Sequence, residues 1–441
     1  MADASGVNAC PDWAHQWAQS PDTVMRHVRD VICSEWQQLR PGPPSPGQPD
    51  LATMPLEALR GLNLLEDLAA DSLERMTLSA AFSDAVPLRS ADDADALYTD
   101  LRLGAWGELA RRSWAAQPTT LRFRTSGSTG RPKTCMHRVI DLAQEVHALA
   151  EVIGPVRRIV SAVRCHHIYG FLFTLMLPQV PGLRLRNQSG EPGASTGPVP
   201  VLDLCGRPVA SVLARLQPGD LVIGFPDWWR ALGRSAHELP PGVIGITSTA
   251  PCPDEVCEPL MAAGLSRLLH IYGSSETAGI GWRDWPQAHY TLLPAWQAVP
   301  DAPDRITRHS WDSQHQTCAL PDEVKWLGPR TLQPVARRDG AVQVGGINVH
   351  LGAVRQQIMA QGDVADAVLR LHDFGGQPRL KLFVVPSDAG MAPDTLVAAL
   401  QRFAQRHLAP PARPAHITVG PALPVNAAGK ACDWPVPNGV A

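Results

Sequence analysis

The chain has 441 residues, 44% of them apolar and 18% charged, with a formal net charge of -3. The length is a prior for two or three domains, and the composition excludes a disordered chain. The near-neutral balance gives no reason to expect nucleic acid or an acidic membrane surface as a partner.

The first residues, MADASGVNACPDW, lack the basic stretch and apolar run of a signal peptide. Uninterrupted apolar stretches such as Phe171 to Phe173 are too short for membrane insertion. Nine cysteines are scattered without a CxxC pair, and Cys252 and Cys257 match no zinc spacing. Dispersed cysteines in odd number fit a reducing cytoplasm.

Along the chain, Val24, Val28, Val31, Ile32, Trp36 and Leu39 recur at helical spacing. A Pro/Gly-rich loop follows from Arg40 to Asp50, then further helical pattern to about Ala115. A strand-like LRFRT runs into a Gly-rich loop at Thr125. Beyond the loop, Val139, Leu142, Val146, Leu149 and Ile153 mark one face of an amphipathic helix. Ile159 to Val163, Leu221 to Ile223, Val243 to Ile246 and Leu268 to Ile271 read as buried strands alternating with helices, which argues an α/β core. Asn187 to Pro200 reads as a polar surface loop. In the last hundred residues, strand-like Ala367 to Leu371 and Leu380 to Val385 flank a turn, and a helix pattern runs from Thr395 to Leu408, so a small α+β domain is expected. The expected division is a helical segment over 1–115, a core over 116–338 and a mobile lid over 339–441.

The motif TSGSTGRPK, Thr125 to Lys133, sits between a strand and a helix. Its glycines, Gly127 and Gly130, let the backbone approach an anion. Thr125, Ser126, Ser128 and Thr129, with backbone N–H groups, form a polyphosphate cradle, and Lys133 adds a point charge. A P-loop needs G-x4-G-K-[ST], and Arg131-Pro132 between Gly130 and Lys133 breaks that pattern.

These nine residues closely resemble the phosphate loop of the adenylate-forming superfamily: acyl-CoA synthetases, aryl-acid ligases, luciferases and peptide-synthetase adenylation domains. Further strings resemble its later motifs in order, from Leu121 to Asp433. In CHHIYGFLF, His167 matches the residue bordering the acyl pocket. Ser248-Thr249-Ala250-Pro251 resembles the segment lying along adenine and the acyl group. In IYGSSETAG the resemblance implies that Tyr272 stacks on adenine within a nucleotide-binding turn that includes Gly273 and Ser274. It further implies that Thr277 contacts the α-phosphate and that Glu276 holds Mg²⁺, an ion that prefers one or two carboxylates plus phosphate oxygens. Asp322, fifteen residues before Arg337, matches the ribose-binding Asp, although LPDEV replaces the usual Thr-Gly-Asp. Asp339 matches the hinge pivot, with Ala336 in place of a common Gly. QVGGINVHLGAV resembles the loop that shapes the thiol tunnel. In LPVNAAGK, Lys430 matches the Lys that touches the substrate carboxylate and the ribose–phosphate bridge, where it stabilises charge on five-coordinate phosphorus.

The resemblance implies an adenylate-forming α/β fold with a large core, a small C-terminal lid and a helical N-terminal segment. It implies ATP-dependent conversion of a carboxylic acid to acyl-AMP, then transfer to CoA or an acyl carrier protein. Only 124 residues precede the phosphate loop. Within them LEDLAADSLERMTLSAAF resembles an acyl carrier signature, with Ser72 at the phosphopantetheine position; the plainer reading is a helix start capped by Asp71 or Ser72. GFPDWWRAL resembles the acyl-pocket segment. Trp228, Trp229, Tyr169 and Phe171 would then crowd the pocket toward a flat aryl acid such as a hydroxybenzoate, in the manner of compact bacterial aryl-polyene (xanthomonadin-type) ligases. The competing expectations are a fatty-acyl ligase and a non-catalytic nucleotide-binding or carrier-docking protein.

Overall fold

The computed structural model describes residues 9–42, 44, 47–125, 133–185, 197–338, 340–388, 390–424 and 432–436, with backbone alone at Thr125 and Lys133. The chain divides into two compact units. The first comprises Met1–Thr125, Thr134–Leu320 and Val324–Pro334; the second comprises Ser126–Lys133, Pro321–Glu323 and Val335–Ala441.

Unit 1 begins with helices α1 (Pro21–Leu39), α2 (Leu56–Gly61), α3 (Ser72–Ala85), α4 (Ala91–Thr99) and α5 (Leu103–Ala115). Two of the longer helices start at a local cap. In α1 the Ser20 hydroxyl accepts from the Thr23 amide and Pro21 takes the first turn. In α3 Asp71 and Glu74 form a reciprocal capping box. These helices do not stand apart. Trp17, Val28, Leu78, Phe82, Trp106 and Trp114 belong to the same hydrophobic cluster as Phe123, Leu142 and Ile223 of the sheet region. The described helices of this segment therefore pack as part of unit 1, through a core they share with the sheet region.

After β1 (Thr120–Thr125) and β2 (Lys133–Arg138) comes α6 (Val139–Ile153), which Gly154 ends at φ +78°. The elements that follow are β3 (Arg158–Ser161), α7 (Ile168–Phe171), β4 (Val201–Asp203), α8 (Val209–Leu213), β5 (Asp220–Gly224), α9 (Pro226–Ser235), β6 (Ile244–Thr247), α10 (Asp254–Ala262), β7 (Arg267–Ser274), β8 (Ala278–Asp284) and β9 (Tyr290–Leu292). β10 (Trp296–Val299), β11 (Ala302–His309) and β12 (His315–Ala319) form a three-stranded antiparallel sheet, and β13 (Asp322–Gly328) and β14 (Thr331–Arg337) follow. The main sheet has the order β13-β14-β9-β8-β7-β6-β5-β3-β4. Strands β4, β3, β5, β6 and β7 are parallel, and β7, β8 and β9 pair antiparallel. The inner parallel strands β3, β5, β6 and β7 are largely buried on both faces, as their continuous apolar runs require.

Unit 2 contains the hairpin β15 (Ala341–Val344) and β16 (Ile347–His350), α11 (Leu351–Met359), β17 (Val364–Asp373), β18 (Pro378–Pro386), α12 (Pro393–His407) and β19 (His416–Val419). Gly345 and Gly346 take φ +58° and +76° in the two-residue hairpin turn, a geometry that favours glycine at both places. Leu369, Leu382, Val384, Leu396, Leu400 and Ile417 form this unit's own core. Among the described residues no helix is long and apolar enough to cross a membrane.

Phe82→Ala should lower the stability of unit 1 by about 3–5 kcal/mol. The measurement is a urea unfolding curve followed by tryptophan fluorescence. A shift confined to a minor early transition would contradict the shared core.

Candidate active site

Strands β3, β5, β6 and β7 run in one direction and end at Ser161, Gly224, Thr247 and Ser274. Open α/β sheets bind ligands outside such carboxyl ends. The segments leaving these ends include Cys165 to Phe173, Gly224 to Leu232 and Ser248 to Pro251, with the turn between β7 and β8. All four carry strings singled out from the sequence.

The β7–β8 turn is held by its own hydroxyls. Ser274 Oγ accepts from the amides of Glu276 at 3.2 Å and Thr277 at 3.3 Å. Thr277 Oγ1 accepts from the Ser274 amide at 3.2 Å. A Cβ at Gly273 would lie 2.1 Å from the Ala278 carbonyl oxygen, so only glycine fits there. Ala278 itself takes φ +58°. Tyr272 is buried, its ring 5.4 Å from that of Tyr290. Glu276 is exposed, and its carboxylate has no side-chain partner among the described residues. An uncommitted carboxylate beside two hydroxyls suits Mg²⁺ shared with phosphate oxygens.

The neighbouring segments are fixed to strand ends. Ser248 Oγ donates to the Ile271 carbonyl at 3.0 Å, linking β6 to β7. Thr249 is exposed at φ +77°, a costly conformation for a β-branched residue, and Ala250 is half-buried beside it. The Tyr169 hydroxyl lies 2.9 Å from the Gly224 carbonyl oxygen and 3.1 Å from that of Ile246, spanning the ends of β5 and β6. His167 is exposed at the start of α7, its ring 3.9 Å from that of His166.

Three aromatic assignments need correction. Phe171 points into the core, its ring 4.9 Å from Trp17 and 5.2 Å from Phe123, because the N-terminal helices supply the apolar surface that covers it. Trp229 is fully buried across β5 and β6, where a Cβ at Gly245 would lie 2.9 Å from its ring, and its Nε1 donates to the Ile246 carbonyl. Trp228 packs edge-on against it in the same apolar cluster. The amphipathic helix α9 turns this tryptophan pair inward, so it serves packing.

Asp322 and Arg337, both in unit 2, do come together: Arg337 Nε lies 3.8 Å from Asp322 Oδ1. Ser72 opens α3 behind its Asp71 cap, with its hydroxyl 3.2 Å from Arg75 Nη2. Ser126, Gly127, Ser128, Thr129, Gly130, Asp339 and Lys430 lie outside the described residues, as do the side chains of Thr125 and Lys133.

Sequence reasoning missed three polar groups behind the site. Asp30 on α1 accepts the Cys165 amide at 2.7 Å and pairs with Arg29, which also reaches Asp203. His137 Nε2 donates to the Ser275 carbonyl at 2.7 Å, and burial lowers its pKa, keeping it neutral. Glu145 accepts the Gly279 amide at 2.9 Å. The available signal was a carboxylate inside an apolar helical stripe, at Asp30 in α1 and at Glu145 in α6. A fourth cluster joins Cys252, Cys257 and His270, all buried. Arg283 can only donate, so its 2.9 Å contact makes His270 Nδ1 an acceptor and leaves the proton on Nε2, facing Cys257 Sγ at 3.8 Å. That tautomer makes the cluster a hydrogen-bonded core group, because a metal would need the Nε2 lone pair.

The large twisted sheet with a small C-terminal sheet unit is the architecture of adenylate-forming enzymes. Solved structures show the same fold. The o-succinylbenzoate CoA synthetase of Bacillus subtilis aligns with a TM-score of 0.55 at 17% identity, over 70% of this chain and 67% of its own. The amide bond synthetase McbA of Marinactinospora thermotolerans aligns with a TM-score of 0.55 at 16% identity, over 92% of both chains. The AMP-binding enzyme family matches residues 114–352. The chain belongs to that family and is an AMP-forming acid–thiol ligase. Among curated relatives, a 4-coumarate–CoA ligase of Rhodobacter capsulatus is 38% identical over 84% of this chain and 91% of its own. One of Halorhodospira halophila is 34% identical over 93% of this chain and 98% of its own.

Burial holds the pKa of His27 down to about 4 and that of His270 to about 3, Arg283 adding to the latter. Unfolded histidine binds its proton near 6.5, so the unfolded state takes up protons first. Stability is therefore full above about pH 6.5 and falls below it, by roughly 2 kcal/mol per residue at pH 5. Urea midpoints at pH 7 and pH 5 should differ accordingly, and His270→Gln should shrink the difference.

Proposed function

We propose that this ligase activates a phenylpropenoic acid of the 4-coumarate type with ATP and passes it to CoA. The observation that carries the reading is similarity to 4-coumarate–CoA ligases over 84% to 93% of the chain. This moves the substrate from hydroxybenzoate to an aryl acid with a propenoate arm. With Phe171 and the tryptophan pair committed to packing, there is less aromatic crowding at the strand ends, which suits the longer acid.

In this reading the acid lies near His167, Tyr169 and the Ser248–Ala250 segment. Tyr272, Gly273 and Ser274 border the nucleotide, with Asp322 and Arg337 serving the ribose side. The phosphate loop from Thr125 to Lys133 supplies N–H and hydroxyl donors to the phosphates. Mg²⁺ held by Glu276, when bound, neutralises phosphate charge. Attack of the carboxylate on the α-phosphorus builds negative charge that the Thr277 hydroxyl and Lys430 meet, and pyrophosphate leaves. Rotation of the 339–441 lid about Asp339 then exposes acyl-AMP to the thiol. CoA is the acceptor this reading names. An acyl carrier arm, including phosphopantetheine on Ser72, is the second acceptor to test, and an unchanged intact mass after co-expression with a phosphopantetheinyl transferase would remove the Ser72 version.

ATP–pyrophosphate exchange with coumarate, cinnamate, hydroxybenzoate and fatty acids tests the assignment. Coumarate or cinnamate should give the highest kcat/KM. Exchange with a fatty acid alone would replace the aryl reading, and no exchange with any acid would sink it. Lys430→Ala should cut exchange by about a hundredfold or more, the scale of losing one charged transition-state contact.

A further inference from the structure

Helix α6 begins at the end of β2, and its buried face is not purely apolar. Asp141 and Glu145 sit one helical turn apart on it, and both are buried. Such placement needs partners. Asp141 accepts from the Ser310 hydroxyl, and the Asp141 carbonyl accepts from Arg308. Glu145 Oε1 accepts the Gly279 amide at 2.9 Å, while Arg308 Nη2 lies 3.7 Å from Glu145 Oε2. Trp296 Nε1 donates to the Gly279 carbonyl at 2.8 Å. Both backbone groups of Gly279 are thus taken by buried side chains from outside its own sheet. The fit is close: a Cβ at Gly279 would lie 2.5 Å from Glu145 Oε1. Two residues upstream of Gly279 stands Thr277. The same turn is held at its other side by His137, through the Ser275 carbonyl.

We infer that Glu145 is a positioning residue for acyl-adenylate formation, fixing the Ser274–Gly279 turn from behind through the Gly279 amide. The inference rests on the proposed role of that turn at the nucleotide phosphates. It makes α6 the support of the turn that precedes β8. Glu145 never touches substrate; it sets where Glu276 and Thr277 stand.

The charge state of Glu145 supplies a second handle. Burial raises its carboxyl to about 7, against the opposing pull of Arg308 and the Gly279 amide, with Asp141 adding to the rise. Glu145 also lines a cavity of about 190 Å³ with Gln144, His147, Glu151, Arg308 and Trp311. The charged and titratable groups around it are Arg308 and Asp141, with His147 and Glu151 on the shared cavity. The ionised form is the stronger acceptor for Gly279 and the partner of Arg308. The positioning effect is therefore full above about pH 7 and weakens as pH falls through that value.

The test compares Glu145→Ala, Glu145→Gln and Glu276→Ala in ATP–pyrophosphate exchange, with titrations of ATP, Mg²⁺ and acid, and circular dichroism to verify folding. Glu145→Ala should lower kcat by about ten- to a hundredfold, the scale of one charge-assisted hydrogen bond. It should also raise the Mg²⁺ and ATP requirement while leaving the KM for the acid within about twofold. Glu145→Gln keeps the volume and one acceptor; it should recover most of the activity at pH 8 and lose the acid limb near pH 7. Folded Glu145 variants with parental kcat, Mg²⁺ dependence and pH profile would overturn the inference. If Glu276→Ala also leaves exchange intact, the role assigned to the turn fails first; if it abolishes exchange while the Glu145 variants are unaffected, only the positioning role fails. Should Glu145→Ala not fold, Glu145→Gln and Trp296→Phe carry the test. Trp296→Phe removes the donor to the Gly279 carbonyl, so a raised Mg²⁺ requirement supports the clasp and parental behaviour overturns it.

Discussion

Backbone groups around the carboxyl ends of the parallel strands and at the start of β8 need hydrogen-bond partners beyond the main ladder. Side chains from the surrounding elements meet that demand one by one. Asp30 takes the Cys165 amide and Glu145 the Gly279 amide. Tyr169 reaches the Gly224 carbonyl, Ser248 that of Ile271 and His137 that of Ser275. Each bond fixes a segment that the proposed chemistry uses. The candidate site is therefore ordered mainly from beneath and behind, by residues that need not meet a substrate.

The N-terminal helices are part of that support. Helix α1 brings Arg29 and Asp30 to the edge of the sheet, where Asp203 completes a buried ion pair, and Asp30 also holds the segment containing His167. Removing one member would leave a buried charge without a partner, which costs far more than the intact pair contributes. Around this polar group, Trp17, Trp114 and Phe171 build an aromatic core joining the helices to the body. The Ser72 helix participates: Leu78 and Phe82 are buried while Glu74 pairs with Arg40 of the α1 cap. A carrier-like string has here become a packed helix of unit 1.

The main elements were legible because their signals are local. Alternating buried strands and amphipathic helices mark the sheet. Motif order likewise carried the family assignment and the turn from Tyr272 to Thr277. The direction of an aromatic ring was not legible. Phe171 and Trp229 lie within motif-like strings, yet their surroundings come from segments far away in sequence, Trp17 and Phe123 in one case and Gly245 in the other. That His270 joins Cys252 and Cys257 was not legible for the same reason, since the packing of α10 on β7 brings them together.

Sequence alone determined the residue types at the loop from Thr125 to Lys133, the Ser274–Thr277 turn and Lys430, the short, fixed spacings on which the proposed function draws. It also determined the α/β alternation, because periodicity is a property of consecutive residues. Tertiary structure decided what stands behind that chemistry. Whether Glu145 is a solvated helix charge or the buried acceptor of the Gly279 amide depends on a contact spanning 134 positions. Whether Trp229 lines a ligand or fills a core depends on which face of the sheet its helix covers. Such matters are set by long-range packing, where desolvation makes a buried polar group either costly or, once paired, a fixed point of the fold.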